Sequence, residues 1–356
     1  MDPAALLQSL VAIPSVSGAE GPLAEHLASF LAGAGFQVRR QGLNVWFELG
    51  VTGPRLLLVS HLDTVPPCAG WSADALQPWW SGDRLYGLGA NDAKGCVTAL
   101  VLAALALRDE AATLGVRAVF AFTVEEEVGG KGMRELLTGL GPIDAAVVGE
   151  PTGLRICTAQ RGMLILRCLA RGEAAHVAHP HLGDNAIHKA ARDVIRLEAM
   201  RFEPHVLLGE TRAQVTMMAG GLARNQIPDA CEFFVDLRST PNLDHAEITA
   251  QIAAELESEV TVHSDRYRAV ATDPAQPVVR AALAASGNKG GVGSPTASDW
   301  AFLAHVPAVK AGPGDTHRSH RPDEWLTLAE LQGGAAFYTK LVREYALSIP
   351  QEAHHG

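Results

Sequence analysis

The stretch LLLVSHLDTVPP runs from Leu56 to Pro67. A short, unbroken apolar run of this kind predicts a strand covered on both faces. It ends by delivering His61 and Asp63, two residues apart. In extended chain such residues lie on one face, because successive side chains alternate. Pro66 and Pro67 then stop the strand. A strand covered on both faces belongs in a layered α/β domain, and the neighbouring sequence supplies the layers.

Upstream, Asp2-Pro3 reads as a helix start, with an acid at the cap and proline at the first helical position. Ser17-x-x-Glu20 reads as a capping box for a helix carrying Leu23, Leu27, Phe30, Leu31 and Ala34, closed by Gly33 and Gly35. Downstream, AKGCVTALVLAALALRDE (93–110) predicts a long apolar helix, VRAVFAFT (116–123) a buried strand, GMRELLTGL (132–140) a helix and DAAVVGE (144–150) a third strand. Strands alternating with helices predict an α/β fold: a wound, mostly parallel sheet with helices on both faces. From residue 163 to 271 the style changes to two strand–helix–strand passages, which predict an inserted α+β unit of ferredoxin-like type. The expected organisation is a discontinuous catalytic domain, 1–162 with 272–356, and an inserted domain, 163–271.

Composition narrows the function. The chain has 356 residues, 47% of them hydrophobic, and a formal net charge of -10. A core of good size follows, and with no basic run, neither a nucleic acid nor an anionic membrane is expected as partner. The segment MDPAALLQSL has no basic n-region and no long apolar core, so no secretory signal is expected. The five cysteines are scattered without a CxxC pair. They predict reduced thiols and a cytoplasmic setting.

Three predicted strands end in acid or imidazole: SHLD, TVEEEVGG and VGEPTG. In open α/β sheets ligands bind beyond the carboxyl ends of the strands. His61, Asp63, Glu125–Glu127 and Glu150 therefore share one rim. GLGANDAKG (87–95) adds Asp92, and GPGDTHRSHRPDEW (312–325) adds histidines. Asp63, Asp92, Glu126, Glu127 and Glu150 crowd negative charge into one cleft, and like charges that close do not all ionise without compensation. Two divalent cations compensate them. A carboxylate and imidazole donor set without thiolate suits a catalytic zinc, cobalt or manganese pair rather than a structural zinc. Such pairs serve hydrolysis by activating water and polarising a carbonyl. Singly, each motif has a bland reading: a strand-end pair, a solvated acidic helix face, a turn, an exposed loop histidine.

Together the motifs resemble the di-zinc amidohydrolase and peptidase family of acetylornithine deacetylase, succinyl-diaminopimelate desuccinylase, aminoacylase and a glutamate-releasing carboxypeptidase. The resemblance runs from LVAIPSVSGAEGPLAEHL to SHRPDEWLTLAEL. SHLDTVP matches S/G-H-x-D-x-V-P, which implies that His61 is a metal ligand and Asp63 the carboxylate that orients it. GANDAKG matches G-x-x-D-x-K-G and makes Asp92 the bridging ligand. TVEEEVGG matches D-E-E-x-G, with Glu126 as general base and Glu127 as ligand, though three consecutive glutamates admit a register shifted by one. GEPT places Glu150 on the first metal, and SHRPDEW places His320, not His317, on the second.

In the inserted domain, AAHVAHPHLGDNAI resembles the stretch whose first histidine, here His176, stabilises the tetrahedral intermediate of a partner subunit in dimers. RNQIPDACEFFVDLRSTP implies Asn225 and Arg238 as binders of the substrate carboxylate. TASDW (296–300) resembles a further pocket segment, with Asp299 alternatively the N-cap of the next helix. The implied protein is a metal-dependent deacylase of N-acyl amino acids, working as a homodimer in arginine or lysine biosynthesis and closest to acetylornithine deacetylase. A desuccinylase, a hydrolase releasing lysine or ornithine from a carrier protein, and a dipeptidase are the rivals among enzymes. A non-catalytic binding relative is the rival of another class, and the intact ligand set with Glu126 argues against it.

Overall fold

The computed structural model describes residues 2–349. Met1 and residues 350–356, which the sequence assigns to the catalytic domain, lie outside the described residues. The chain divides into two compact units, Met1–Thr158 with Thr272–Val292 and Ser298–Gly356, and Ala159–Ala271 with Gly293–Ala297.

In the first unit, Leu56–His61 lies in a seven-residue strand, Arg55–His61, buried at every position. Since side chains alternate, burial throughout requires cover on both faces. The strand pairs in parallel with Arg117–Thr123 on one side and Ala145–Val148 on the other, and Ala308–Lys310 extends the parallel run. The margins are antiparallel. Asn44–Leu49 pairs with Arg117–Thr123, and Cys157–Gln160 pairs with Ala308–Lys310. The sheet is thus mixed, with four parallel strands at its centre.

The apolar helix spans Lys94–Leu107, and Arg108–Thr113 continues it as a 3-10 turn. It packs against Pro3–Val11 and Leu328–Ser348. Asp2 caps the first of these, accepting the Ala4 N–H at 3.0 Å, with proline at the first helical position. The last carries a capping box: Thr327 Oγ1 accepts the Glu330 N–H at 3.0 Å, and Glu330 Oε2 accepts the Thr327 N–H at 3.0 Å.

The expected box at Ser17 and Glu20 does not form. The helix begins at Gly21, Glu20 takes the cap position without a side-chain bond, and both side chains are engaged elsewhere.

The second unit holds four antiparallel strands in the spatial order Ala213–Gly220, Ala230–Leu237, Met163–Arg171, Glu259–Tyr267. Helices Ala186–Ala199 and His245–Glu255 follow the first and third of these strands in chain order. This is the ferredoxin-like arrangement. Its core is built from Leu164, Leu166, Cys168 and Ala170 on one strand and Cys231, Phe233, Val235 and Leu237 on the next. Among the described residues no helix is long and apolar enough to cross a membrane.

Candidate active site

Strand ends and the loops beside them gather the site. The central strand delivers His61, and the neighbouring strand Arg117–Thr123 runs into Val124–Glu127. Ala145–Val148 leads to Glu150, the turn before the apolar helix carries Asp92, and the loop after Ala308–Lys310 carries His320. Ligand atoms of His61, Asp92 and Glu150 lie within 4.8 Å of one another, as do those of Asp92, Glu127 and His320. A third group, His61, Glu126 and Glu127, meets the same limit.

Asp92 belongs to both of the first two groups and presents a different oxygen to each. Its Oδ1 lies 3.3 Å from His61 Nε2, and its Oδ2 lies 3.9 Å from His320 Nε2. His61 Nε2 is 3.9 Å from Glu150 Oε1, and His320 Nε2 is 2.8 Å from Glu127 Oε1. Ligands about 2.0–2.2 Å from one zinc in tetrahedral array stand roughly 3.3–3.6 Å apart. The His61–Asp92 separation falls in that range, and the purely N/O donor set suits a divalent cation.

The electrostatics describe a cluster short of positive charge. Burial pushes Glu126 well above the carboxylate range, and the charges of Glu150, Asp299 and Glu127 add to it against the pull of His61. Burial carries Glu150 to about 8. The imidazoles respond in the opposite sense. For His61, burial opposes protonation, yet Asp63, Asp92, Glu150 and Glu126 together raise its pKa well above the usual value. His320 rises to about 9, chiefly through its bond to Glu127.

Asp63 lies just past the strand. His61 Nδ1 lies 3.0 Å from the Asp63 carbonyl oxygen and 3.5 Å from Oδ1. The carboxylate's shorter bonds go to other groups. Oδ2 accepts the Ser17 hydroxyl at 2.7 Å and the Glu127 N–H at 3.1 Å, while Oδ1 accepts the Glu126 N–H at 3.1 Å. Asp63 therefore anchors the glutamate turn as well as flanking the imidazole.

Glu324 does the same for Asp92, a role the sequence analysis missed. It is buried, with Oε1 accepting the N–H groups of Asn91 and Asp92 at 2.8 Å each and Oε2 accepting that of Gly89 at 3.2 Å. Burial raises it to about 8 despite those bonds. Nearby Lys94 is buried too, bonded to the Ile13 carbonyl at 2.8 Å and lowered by burial to about 7. The only signal for Glu324 is an acid four residues beyond His320.

Asp299 does not cap the turn that follows it; Ser298 does. Asp299 is buried, accepts the Thr123 hydroxyl at 2.9 Å and is pushed by burial to about 7.

The remaining candidates belong to the second unit. His176 is exposed on the two-residue strand Ala175–His176, which pairs with Gln226–Ile227, and its Nδ1 accepts the Ala178 N–H at 3.1 Å. Asn225 is exposed, and its carbonyl accepts the Val177 N–H at 3.1 Å. Arg238 forks onto Asp236 at 2.9 and 3.2 Å, with half of its side chain exposed (50%).

Fold and site together define a hydrolase whose carboxylate and imidazole groups, gathered at the rim of an α/β sheet, could hold divalent metal. The chain belongs to peptidase family M20/M25/M40, whose model matches residues 57–344. It is 31% identical over 376 residues to an acetylornithine deacetylase of Myxococcus xanthus, covering 96% of this chain and 97% of that one. It is 31% identical over 370 residues to a succinyl-diaminopimelate desuccinylase of Xanthomonas oryzae pv. oryzae, covering 94% and 96%. A probable carboxypeptidase of Aspergillus terreus is 30% identical over 372 residues, covering 94% and 84%. Among solved structures, a tripeptidase from Staphylococcus aureus superposes with a TM-score of 0.78 at 22% identity, covering 97% of this chain and 98% of its own. An M20 metallo-carboxypeptidase from Sulfolobus solfataricus superposes with a TM-score of 0.77 at 18% identity, covering 98% and 100%.

Proposed function

We propose that this protein hydrolyses the amide bond of an N-acyl-L-amino acid, with acetylornithine-like substrates first in order. The observation that carries the reading is Asp92, which offers one oxygen to the His61 and Glu150 group and the other to the Glu127 and His320 group. His61, Asp92 and Glu150 would hold one divalent cation, and Asp92, Glu127 and His320 the other, with zinc preferred and cobalt or manganese as substitutes. When bound, the cations polarise the attacked carbonyl and lower the pKa of water.

The chain's own residues supply the rest. Glu126 is buried beside both groups without completing either. It takes the proton from the attacking water and returns it to the leaving amine. Asp63 fixes that glutamate's backbone, and Glu324 fixes that of Asp92.

In the second unit, His176 is assigned to the oxyanion of a partner subunit, and Asn225 and Arg238 to the substrate carboxylate. The ion pair to Asp236 already orients the Arg238 fork, and a guanidinium suits bidentate carboxylate binding. Homodimerisation through this unit is supported by the strand Ala213–Gly220. It lies at the sheet's edge with Met217 and Met218 exposed, and such an edge is a template for pairing. The free thiols at Cys68, Cys96, Cys157, Cys168 and Cys231 suit a reducing, cytoplasmic setting.

The test is a panel of N-acetylornithine, N-acetylcitrulline and N-succinyl-diaminopimelate, offered to chelator-stripped protein with and without added zinc or cobalt. Activity is expected only with metal, and fastest on N-acetylornithine. Full turnover by stripped protein would refute the metal reading. A preference for the succinylated substrate would move the protein to the desuccinylases.

A further inference from the structure

The turn that carries Glu126 is held by its backbone. Three successive N–H groups, those of Glu125, Glu126 and Glu127, are each received by a carboxylate oxygen: Glu20 Oε1 at 3.0 Å, Asp63 Oδ1 at 3.1 Å and Asp63 Oδ2 at 3.1 Å. Glu125 sits at φ 55°, a left-handed conformation that residues other than Gly, Asn and Asp rarely adopt. Its side chain turns away to the surface, where it meets Lys131 Nζ at 2.9 Å. Glu20 is fully buried, and its second oxygen, Oε2, has no hydrogen-bond partner among the described residues. A buried carboxylate with half of its acceptors idle is a poor choice for stability alone. Local departures of this kind collect where a site requires them.

We propose that Glu20 is a positioning residue for the general base. By accepting the Glu125 N–H it holds the left-handed residue that sets the register of the glutamate run. Glu126 then stays beside His61, while Glu127 reaches His320. The inference rests on the reading of Glu126 as the base.

The test uses Glu20→Gln, which keeps an acceptor oxygen, and Glu20→Met, which fills the volume without one. Each is made alone and combined with Glu125→Gly. Metal content, kcat and KM on N-acetylornithine, and amide hydrogen exchange at residues 125–127 are measured. Glu20→Gln is expected to keep most of kcat. Glu20→Met is expected to lose it roughly 10- to 100-fold, the scale of a base displaced by about 1 Å. KM should hold, and exchange at the turn should quicken. Glu125→Gly adopts positive φ without strain, so it should restore part of the loss in the Met background.

Wild-type kcat in Glu20→Met, an equal loss in Glu20→Gln, or no recovery with Glu125→Gly overturns the proposal. If Glu20→Met does not fold, Glu20→Leu replaces it. Loss of folding in both overturns it too, because Glu20 then serves the fold and not turnover. Glu126→Gln is the control that separates the two ideas. If it retains turnover, the reading of the base fails; if it is dead while Glu20→Met is active, only the role of Glu20 fails.

Discussion

Replacing Asp63 with Asn keeps shape and volume and changes one acceptor into a donor. The site has no room for that exchange. Asp63 is fully buried, with Oδ1 on the Glu126 N–H and Oδ2 on the Glu127 N–H and the Ser17 hydroxyl. Burial acts to raise its pKa, but the bonds from His61, Ser17 and Glu127 outweigh it and hold the group below its ordinary value. If the Asn amide nitrogen takes the place of Oδ1, it faces the Glu126 N–H. If it takes the place of Oδ2, it faces the Glu127 N–H. The Ser17 hydroxyl can rotate to accept, but a backbone N–H cannot. One charge-assisted bond is lost in either case, worth about 1.5–3 kcal/mol. At about 1.4 kcal/mol per factor of ten, that is roughly 10- to 150-fold. It falls on the backbone that aims Glu127 and Glu126, so both metal affinity and turnover should drop. Loss of partners behind metal ligands costs roughly 10- to 100-fold in affinity in other systems, which agrees. Zinc affinity is read by competition with a chromophoric chelator, and kcat at saturating metal. Asp63→Asn protein with both quantities unchanged would falsify the anchoring role.

Glu126→Gln should keep its metal content and lose most turnover, whereas Glu127→Ala should lose metal from one site; metal analysis showing the reverse would shift the motif by one residue. Mixing inactive Glu126→Gln chains with inactive His176→Ala chains should restore part of the activity, because one site in each mixed dimer is intact; no recovery at any ratio would refute action of His176 on a partner subunit. Glu330→Gln should keep the capping acceptor but lose the ion pair to Arg318, and so weaken the start of the last helix by up to about 1 kcal/mol at neutral pH. Burial opposes it, but the bonds from Arg318 and Thr327 lower the Glu330 pKa in the folded state. The stability that Glu330 adds is therefore present above the unfolded-state value of about 4.3 and lost as pH falls through the lower folded value. Thermal unfolding of wild type and Glu330→Gln should converge as pH falls through that folded value, and a gap that widens in acid would contradict the assignment.

The strands were legible because they answer to a short-range rule. Seven buried positions in Arg55–His61 demand seven residues that tolerate burial, and such a run stands out against any background. The clustering of the candidate residues was legible for a related reason. His61, Glu126, Glu127 and Glu150 end or follow predicted strands and Asp92 precedes a predicted helix, and parallel pairing brings like ends of strands to one rim. Spacing alone left Glu126 and Glu127 open to a shift by one, since three identical residues carry no register of their own. In the structure the backbone N–H groups of both go to Asp63, a partner that no local pattern announces.

Those partners explain where sequence reasoning stops. Ser17 and Glu20 match a capping box because the motif is four residues long and is judged locally. Their real partners lie 46 and 105 residues away, at Asp63 and Glu125, and a buried carboxylate gains more from an orphan N–H in a catalytic turn than from a cap that solvent can satisfy. Glu324 is separated from Asp92 by 232 residues, and nothing in GPGDTHRSHRPDEW points it at that turn. Arg238 shows the opposite case. Its neighbour Asp236 lies only two residues back, near the end of the strand Ala230–Leu237 that Arg238 follows, yet only the side-chain rotamers decide that the two meet. The carboxylates and imidazoles that meet at the rim can thus be read from strand ends, while the groups that anchor their backbones cannot. The first task is set by chain direction and the second by contacts between distant loops. A substitution outside every recognisable motif, at Ser17, Glu20 or Glu324, therefore has as direct a route to the reaction as one within SHLD or GEPT.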